Sequence, residues 1–217
     1  MNGYYLTLNL SIAPFGFALF NDHGLIYQQQ AHDSYRFSET IIDTISSACD
    51  QHHLRLSHCQ GIAVVHGPGS YTGTRIAIST TNTLSRLCSC PILGCHALDM
   101  IVHCMYPAHE LCVAVIPSRK HEVTYALYSA AQADKKMSLD IVQSYDQFCH
   151  FLSQFESSIC VIGPLPTALE QRIRDIKLIR FSARYIQHDL LFEALTRYLS
   201  TSPSPGYITP LYLHAPA

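Results

Sequence analysis

The period of the apolar residues changes several times along the chain, and each change marks an element. Tyr4-Tyr5-Leu6-Thr7-Leu8 is aromatic and β-rich, Ser11 to Pro14 is a turn, and Gly16-Phe17-Ala18-Leu19-Phe20 repeats the strand pattern. Asn21-Asp22-His23-Gly24 is turn chemistry, and a third strand-like run follows at 25–29. Three strands joined by short turns predict antiparallel neighbours. The period then lengthens. Phe37, Ile41, Ile42, Ile45, Ala48 and Cys49 fall on one face of a helix over about 36–53, with Glu39, Asp43, Ser46 and Asp50 mainly on the other. Gly61-Ile62-Ala63-Val64-Val65 is a continuous apolar run, the mark of a strand buried on both faces. Gly67-Pro68-Gly69 ends it, and a second helix is predicted over 71–87. A strand at 91–94 and a helical stretch at 97–105 follow.

From Leu111 the same programme restarts. Strands are expected at 112–116 and 122–129 around a Pro117-to-His121 turn, and 139–143 is able to pair beside them. Helix, strand, helix, strand and helix then follow at 146–155, 159–162, 167–174, 178–181 and 189–199, before a tail rich in Pro and Ser. Antiparallel strands at one edge of a parallel α/β sheet, seen twice, predict two similar lobes, taken here as 1–108 and 109–217.

Composition narrows the function. With 217 residues, 48% of them hydrophobic, the chain has ample material for a core. Charged residues are 14%, below the roughly 25% of typical soluble domains, which points to surface covered by another protein. A net charge of −2 gives no basic excess for autonomous nucleic-acid binding. The nine cysteines are scattered, with a C-x-C at Cys88 and Cys90 but no C-x-x-C, so a zinc framework is not expected. They read as small hydrophobes of a reduced, cytoplasmic protein. The first twenty residues lack a basic start and are interrupted by Asn9, Pro14 and Gly16, so neither a signal peptide nor a membrane span is expected.

The most informative segment runs from Gly61 to Ile76, where a buried strand ends in Gly-Pro-Gly and a helix starts at once. Ser70 is placed to cap that helix, whose free N–H groups make a possible anion site. A phosphate loop would need a lysine after the second glycine, but Gly73 is followed by Thr74 and Arg75. A serine hydrolase would need a Gly-x-Ser-x-Gly elbow, and Gly69-Ser70-Tyr71-Thr72-Gly73 does not supply it. Gly73, Ala77, Thr80 and Thr81 line up at helical spacing, a small-residue face that admits close approach of another helix. The run Ser79-Thr80-Thr81-Asn82-Thr83 has poor helix propensity, so packing must hold it.

His66-Gly67-Pro68-Gly69-Ser70-Tyr71-Thr72-Gly73-Thr74-Arg75-Ile76 resembles the Gly-Pro-Gly-Ser-Phe-Thr-Gly-x-Arg motif of the TsaB (YeaZ) family. Weaker similarities flank it in the same order as in that family. They are the opening at 4–20, Arg36-Phe37-Ser38-Glu39-Thr40, Pro117-Ser118-Arg119-Lys120-His121-Glu122-Val123, and Pro210-Leu211-Tyr212-Leu213. The resemblance implies an α/β fold of duplicated ribonuclease-H-like lobes, as in the actin, sugar-kinase and Hsp70 superfamily, without a complete catalytic site. It implies pairing with a TsaD-type protein through two N-terminal-lobe helices. With a TsaE-type ATPase, the pair would support threonylcarbamoyl transfer from threonylcarbamoyl-adenylate to the adenosine next to the anticodon of certain tRNAs. On this chain the docking helices become about 37–53 and 70–87. Expected contacts are Ser38, Glu39, Ile42, Ser70, Tyr71, Thr74, Arg75 and Ser79, with Gly73, Ala77 and Thr81 as the helix-packing face. The chain would meet tRNA only through the complex and would not touch membrane.

Departures from the superfamily point the same way. Its enzymes hold Mg-ATP with a carboxylate in the first hairpin, where this chain has Leu8-Asn9-Leu10-Ser11. Neutral Asn9 offers no charge to a hydrated metal, and Pro14 removes a backbone donor from the same turn. Ser118 replaces the aspartate expected before Arg119. His52-His53 are adjacent and His96 and His103 lie two turns apart, so no helical metal pair is expected, nor any cofactor. A small ATP-dependent kinase or ATP hydrolase of the same superfamily is the alternative, and magnesium-dependent ATP binding would favour it. A homodimer through the same helices is a third expectation when the partner is absent.

Overall fold

Side-chain alternation along β1 (Tyr4–Asn9) decides which helices cover which side of the first sheet. The computed structural model describes residues 3–31, 34–103, 111–129, 135–182, 185–201, 203–204 and 206–213. After β1 come β2 (Phe15–Asn21), β3 (Gly24–Ala31), α1 (Ser34–Gln51), β4 (Cys59–Gly67), α2 (Tyr71–Cys88), β5 (Ile92–His96) and α3 (Ala97–His103). The second series is β6 (Leu111–Pro117), β7 (Glu122–Ser129), β8 (Lys135–Lys136), β9 (Ile141–Ser144), α4 (Tyr145–Ser153), β10 (Ile159–Ile162), α5 (Thr167–Arg174), β11 (Ile179–Ser182) and α6 (His188–Leu199).

The chain divides into two compact units, Met1–Ala97 with Ile186–Tyr212, and Leu98–Tyr185 with Leu213–Ala217. The first sheet runs β3-β2-β1-β4-β5. β1 pairs antiparallel with β2 and parallel with β4, β2 pairs antiparallel with β3, and β4 parallel with β5. The second sheet runs β11-β10-β6-β7-β8, with β9 also on β7. Its central strand β6 is antiparallel to β7 and parallel to β10, and β10 is parallel to β11. The two sheets therefore share one topology, with the third strand of the second sheet split into β8 and β9. The expected strand and helix order is present in both halves.

In the first unit Leu6, Leu8, Leu10, Phe17, Leu19, Ile62 and Val64 form one core with Phe37, Ile41, Ile45 and Ala48 of α1 and Ala77 of α2. The alternate residues face α6. Tyr5 and Phe20 pack on the Phe192 ring at centroid distances of 5.4 and 4.4 Å, and Thr7 Oγ1 lies 2.7 Å from His188 Nδ1. Gly61 lies against Leu195 and Leu199, whose methyls would stand 3.2 to 3.5 Å from an added Cβ. The closing helix thus packs on the first sheet, whereas the sequence reading placed 189–199 in the second lobe. Its amphipathic stripe specifies a buried face but not which sheet buries it. The second unit closes around Val113, Val115, Tyr125, Phe148, Leu152, Val161, Leu169 and Ile173. A Ser144–Gln147 capping box opens α4.

Candidate functional site

The turn from β1 to β2 is held by one side chain. Asn9, 1% exposed, donates from Nδ2 to the carbonyls of Ile12 (2.9 Å) and Pro14 (3.2 Å). Its Oδ1 accepts from the N–H groups of Ser11 (3.1 Å) and Ile12 (3.3 Å). All four of these bonds stay inside the loop, and the carbonyls of Ile12 and Pro14 are met by a donor that a carboxylate lacks.

That loop lies directly over the Gly-Pro-Gly turn. Ser11 Oγ bonds the Val65 carbonyl at 2.8 Å and meets Thr74 Oγ1 at 2.9 Å, while Ser70 N donates to Ser11 O at 2.7 Å. Ser70 Oγ accepts from Gly73 N at 3.2 Å and caps α2, as its position before the helix predicts. Two of the amides that open α2 are therefore spent on the chain itself, which weakens the anion-site reading. Gly67 has φ +117°, a conformation that favours glycine, and a Cβ there would stand 2.5 Å from Leu211 O.

The tail seals the far side of the same turn. Leu211 N donates to His66 O at 2.8 Å, and the Asn82 amide exchanges two bonds with the Ile208 backbone, at 2.9 and 3.0 Å. Tyr212 packs its ring 4.9 Å from that of Tyr71. The Pro210-to-Leu213 similarity noted in the sequence thus belongs to a strap across the start of α2. Sequence reasoning missed this role because a Pro- and Ser-rich tail has no hydrophobic period.

The small-residue face of α2 points inward. Gly73, Ala77 and Thr81 are buried within the first unit, as are Thr80 and Asn82. A Cβ at Gly73 would lie 1.9 Å from Leu10 O, and the Thr81 hydroxyl is turned back on the Ala77 carbonyl at 2.9 Å. Expectation and structure differ here, because a stripe of small residues permits close approach of any neighbour, and here Gly73 is covered by this chain's own β1–β2 loop while Ala77 belongs to the core of the first unit. Thr74, expected at a partner contact, is 1% exposed and spent on Ser11.

The opposite faces of α1 and α2 are open. Glu39, Ile42, Tyr71, Arg75 and Ser79 are exposed, and Ser70 is half-buried at its capping position. The Ser38 side chain lies outside the described residues. Ile42, on the apolar stripe by periodicity, is 63% exposed, and Leu87, which the sequence reading did not single out, is 67% exposed. Between the helices lies a groove of about 350 Å³, lined among others by Ile42, Ile45, Cys49, Leu54, Leu56 and Leu84. Acidic Glu39, Asp43 and Asp50 stand exposed on α1, and basic Arg75 and Arg86 on α2. Arg75 is steadied by Tyr71, whose hydroxyl accepts from Nη1 at 2.8 Å. Among the described residues no three His, Cys, Asp or Glu are grouped to hold a metal ion, and no helix is long and apolar enough to cross a membrane.

Two sheets of one topology, each with helices on its flank, define a duplicated ribonuclease-H-like protein of the actin-like ATPase class. A family model described as TsaD, tRNA N6-adenosine threonylcarbamoyltransferase, matches residues 29–192, and the chain belongs to that family. An uncharacterised Pseudomonas aeruginosa protein with similarity to peptidase YeaZ matches at TM-score 0.71 and 18% identity, covering 98% of this chain and 100% of that one. YeaZ from Pseudomonas aeruginosa matches at TM-score 0.69 and 18% identity, over 97% of this chain and 100% of its own. A Bacteroides thetaiotaomicron protein with an actin-like ATPase fold and unknown function matches at 0.50 and 10% identity, over 88% and 95%. No curated protein matches the chain. The family match and the whole-length YeaZ fold agree with the resemblance carried by residues 66–76.

Proposed function

We propose that this chain is a non-catalytic, TsaB-type subunit that docks a TsaD-type protein on the outer face of α1 and α2. With a TsaE-type ATPase, it supports threonylcarbamoyl transfer to the adenosine next to the anticodon of tRNA. The observation that carries the reading is the α1–α2 groove lined by exposed Ile42, with exposed Leu87 on the same helix pair, in a chain whose first-hairpin turn is built on Asn9. Exposed apolar side chains rimmed by charge are what a partner would cover. Ser46, Asp50 and Arg55 line the groove itself, and Glu39, Arg75 and Ser79 would add polar contacts outside it, with Tyr71 stacked beside Arg75. The division of charge, acidic on α1 and basic on α2, also suits a two-fold pairing of this chain with itself when the partner is absent.

The test is co-expression with the TsaD-type protein of the same cell. Wild type is expected to co-elute with it on gel filtration. Ile42→Asp should weaken the pair by about 100-fold or more, the cost of placing a charge at a buried anchor, without lowering the melting temperature of the isolated chain. Failure of wild type to co-elute, or tRNA modification that persists after deletion of the gene, would refute the proposal. Magnesium-dependent ATP binding by the isolated chain would move it toward the kinase alternative.

A further inference from the structure

Three thiols meet where β4 begins and α2 ends. Cys59 opens β4, and Cys88 and Cys90 bracket the left-handed C-cap Ser89, whose φ is 52°. That cap turns the chain so that Cys90 comes back to Cys59 and the Cys88 thiol comes within hydrogen-bonding reach of it. Cys90 Sγ stands 4.0 Å from Cys59 Sγ, and both are buried, at 3% and 5% exposure. Cys88 is half-buried and so is the member of the cluster that solvent reaches best. Its S–H donates to Leu56 O at 3.0 Å, and Leu56 is one of the residues lining the α1–α2 groove.

We propose that Cys59, Cys88 and Cys90 form a peroxide-sensitive thiol site in which Cys88 is oxidised first and Cys59 resolves it as an intramolecular disulfide. Hydrogen donation from Cys59, and to a lesser degree Cys90, favours the Cys88 thiolate and outweighs burial, bringing its pKa down to about 7. The carboxyl end of α2 opposes that charge, so the thiol donors are what sustain it. The chemistry closes without another reactant. The Cys88 thiolate attacks one oxygen of hydrogen peroxide, the O–O bond breaks, and Cys88 sulfenic acid and hydroxide result. The Cys59 thiol, losing its proton to that hydroxide, attacks the Cys88 sulfur, the S–O bond breaks, and the sulfenic oxygen leaves as water once protonated. Two thiols are oxidised, and one peroxide becomes two waters. Cys90, beside Cys59, is placed to exchange into the new bond.

The second unit holds an internal control. Cys112 and Cys160 are register partners on adjacent strands, and both are buried, at 0% and 4% exposure. Adjacency without access should leave them reduced. The full chain, reduced and then treated with hydrogen peroxide, is mapped by non-reducing peptide mass spectrometry. Expected is a loss of two hydrogens and a Cys59–Cys88 link, reversed by dithiothreitol, with Cys112 and Cys160 still free. Cys90→Ser should retain the link, and Cys88→Ser should slow its loss of thiols about tenfold or more. The proposal is overturned if Cys88 proceeds to sulfinic acid with Cys59 free. It is also overturned if Cys88→Ser loses Cys59 thiol at the wild-type rate, or if Cys112 and Cys160 oxidise as fast. Cys59→Ala separates chemistry from folding, because there Cys88 should still be the first thiol modified but should run on to higher oxides.

Discussion

A primary amide both gives and receives hydrogen bonds, and Asn9 uses each capacity twice inside a single turn. Aspartate is its closest isostere and reverses two of the four contacts. Asn9→Asp should therefore destabilise the chain by about 3 kcal/mol at neutral pH, because a buried carboxylate then faces two carbonyl oxygens without a donor. Urea unfolding measures it, and the loss should shrink at acid pH, where the carboxyl protonates and regains one donor. His188 gives a second prediction with the opposite pH sense. It is 3% exposed, and burial pushes its pKa from the ordinary 6.5 down to about 4. The unfolded chain binds the proton that the folded chain refuses, so stability rises with pH between about 4 and 6.5. The swing is about 3 kcal/mol, fully lost below the folded pKa. In His188→Gln, which keeps a polar partner for Thr7, the unfolding free energy should lose that part of its slope between pH 6.5 and 4. An unchanged slope would mean that His188 does not titrate on unfolding.

At the level of elements, α2 shows how one sequence feature admits two structural meanings. The spacing of Gly73, Ala77 and Thr81 reads equally as a seat for a partner helix and as a seat for the chain's own loop. The structure chooses the loop, with Leu10 O over Gly73. Gly73→Ala should then act on folding, costing about 3 kcal/mol or more by overpacking against a backbone that has little room to move. A lowered melting temperature of the isolated chain checks this. An unchanged temperature with a weakened complex would return Gly73 to the partner face. The strands were legible because their signals are local. β4 carries a continuous apolar run, and the β1–β2 and β2–β3 turns carry Pro, Asn and Gly. The core face of α1 was legible from its period, save for Ile42. A stripe one residue too wide for its core leaves that residue in solvent, and periodicity cannot distinguish surplus from burial. The charged and polar residues around Ile42 were visible in sequence, but the groove that Ile42 shares with Leu54, Leu56 and Leu84 required the helices to be placed.

On the scale of the whole molecule, chain order and spatial order disagree. The first unit is discontinuous, since α6 and the strap at 208–212 return from the far end to complete it. A sheet with one apolar face uncovered is not a stable object, because burial of both faces supplies the net free energy of so small a unit. The fragment 1–108 lacks the helix that covers Tyr5, Thr7 and Phe20, together with the strap that crosses Gly67. It should be poorly folded, with 8-anilinonaphthalene-1-sulfonate bound to exposed apolar surface and a broad thermal transition. Adding residues 186–213 as a separate peptide should sharpen that transition and displace the dye. The fragment 98–185 carries its own sheet and its own core, so it should unfold cooperatively unaided. If 1–108 alone melts as sharply as the full chain, then α6 is an ornament on the first sheet rather than its missing layer. The proposed docking surface would then owe nothing to the carboxyl end. If the added peptide restores it, any partner that grips α1 and α2 is holding a platform that the last part of the chain completes.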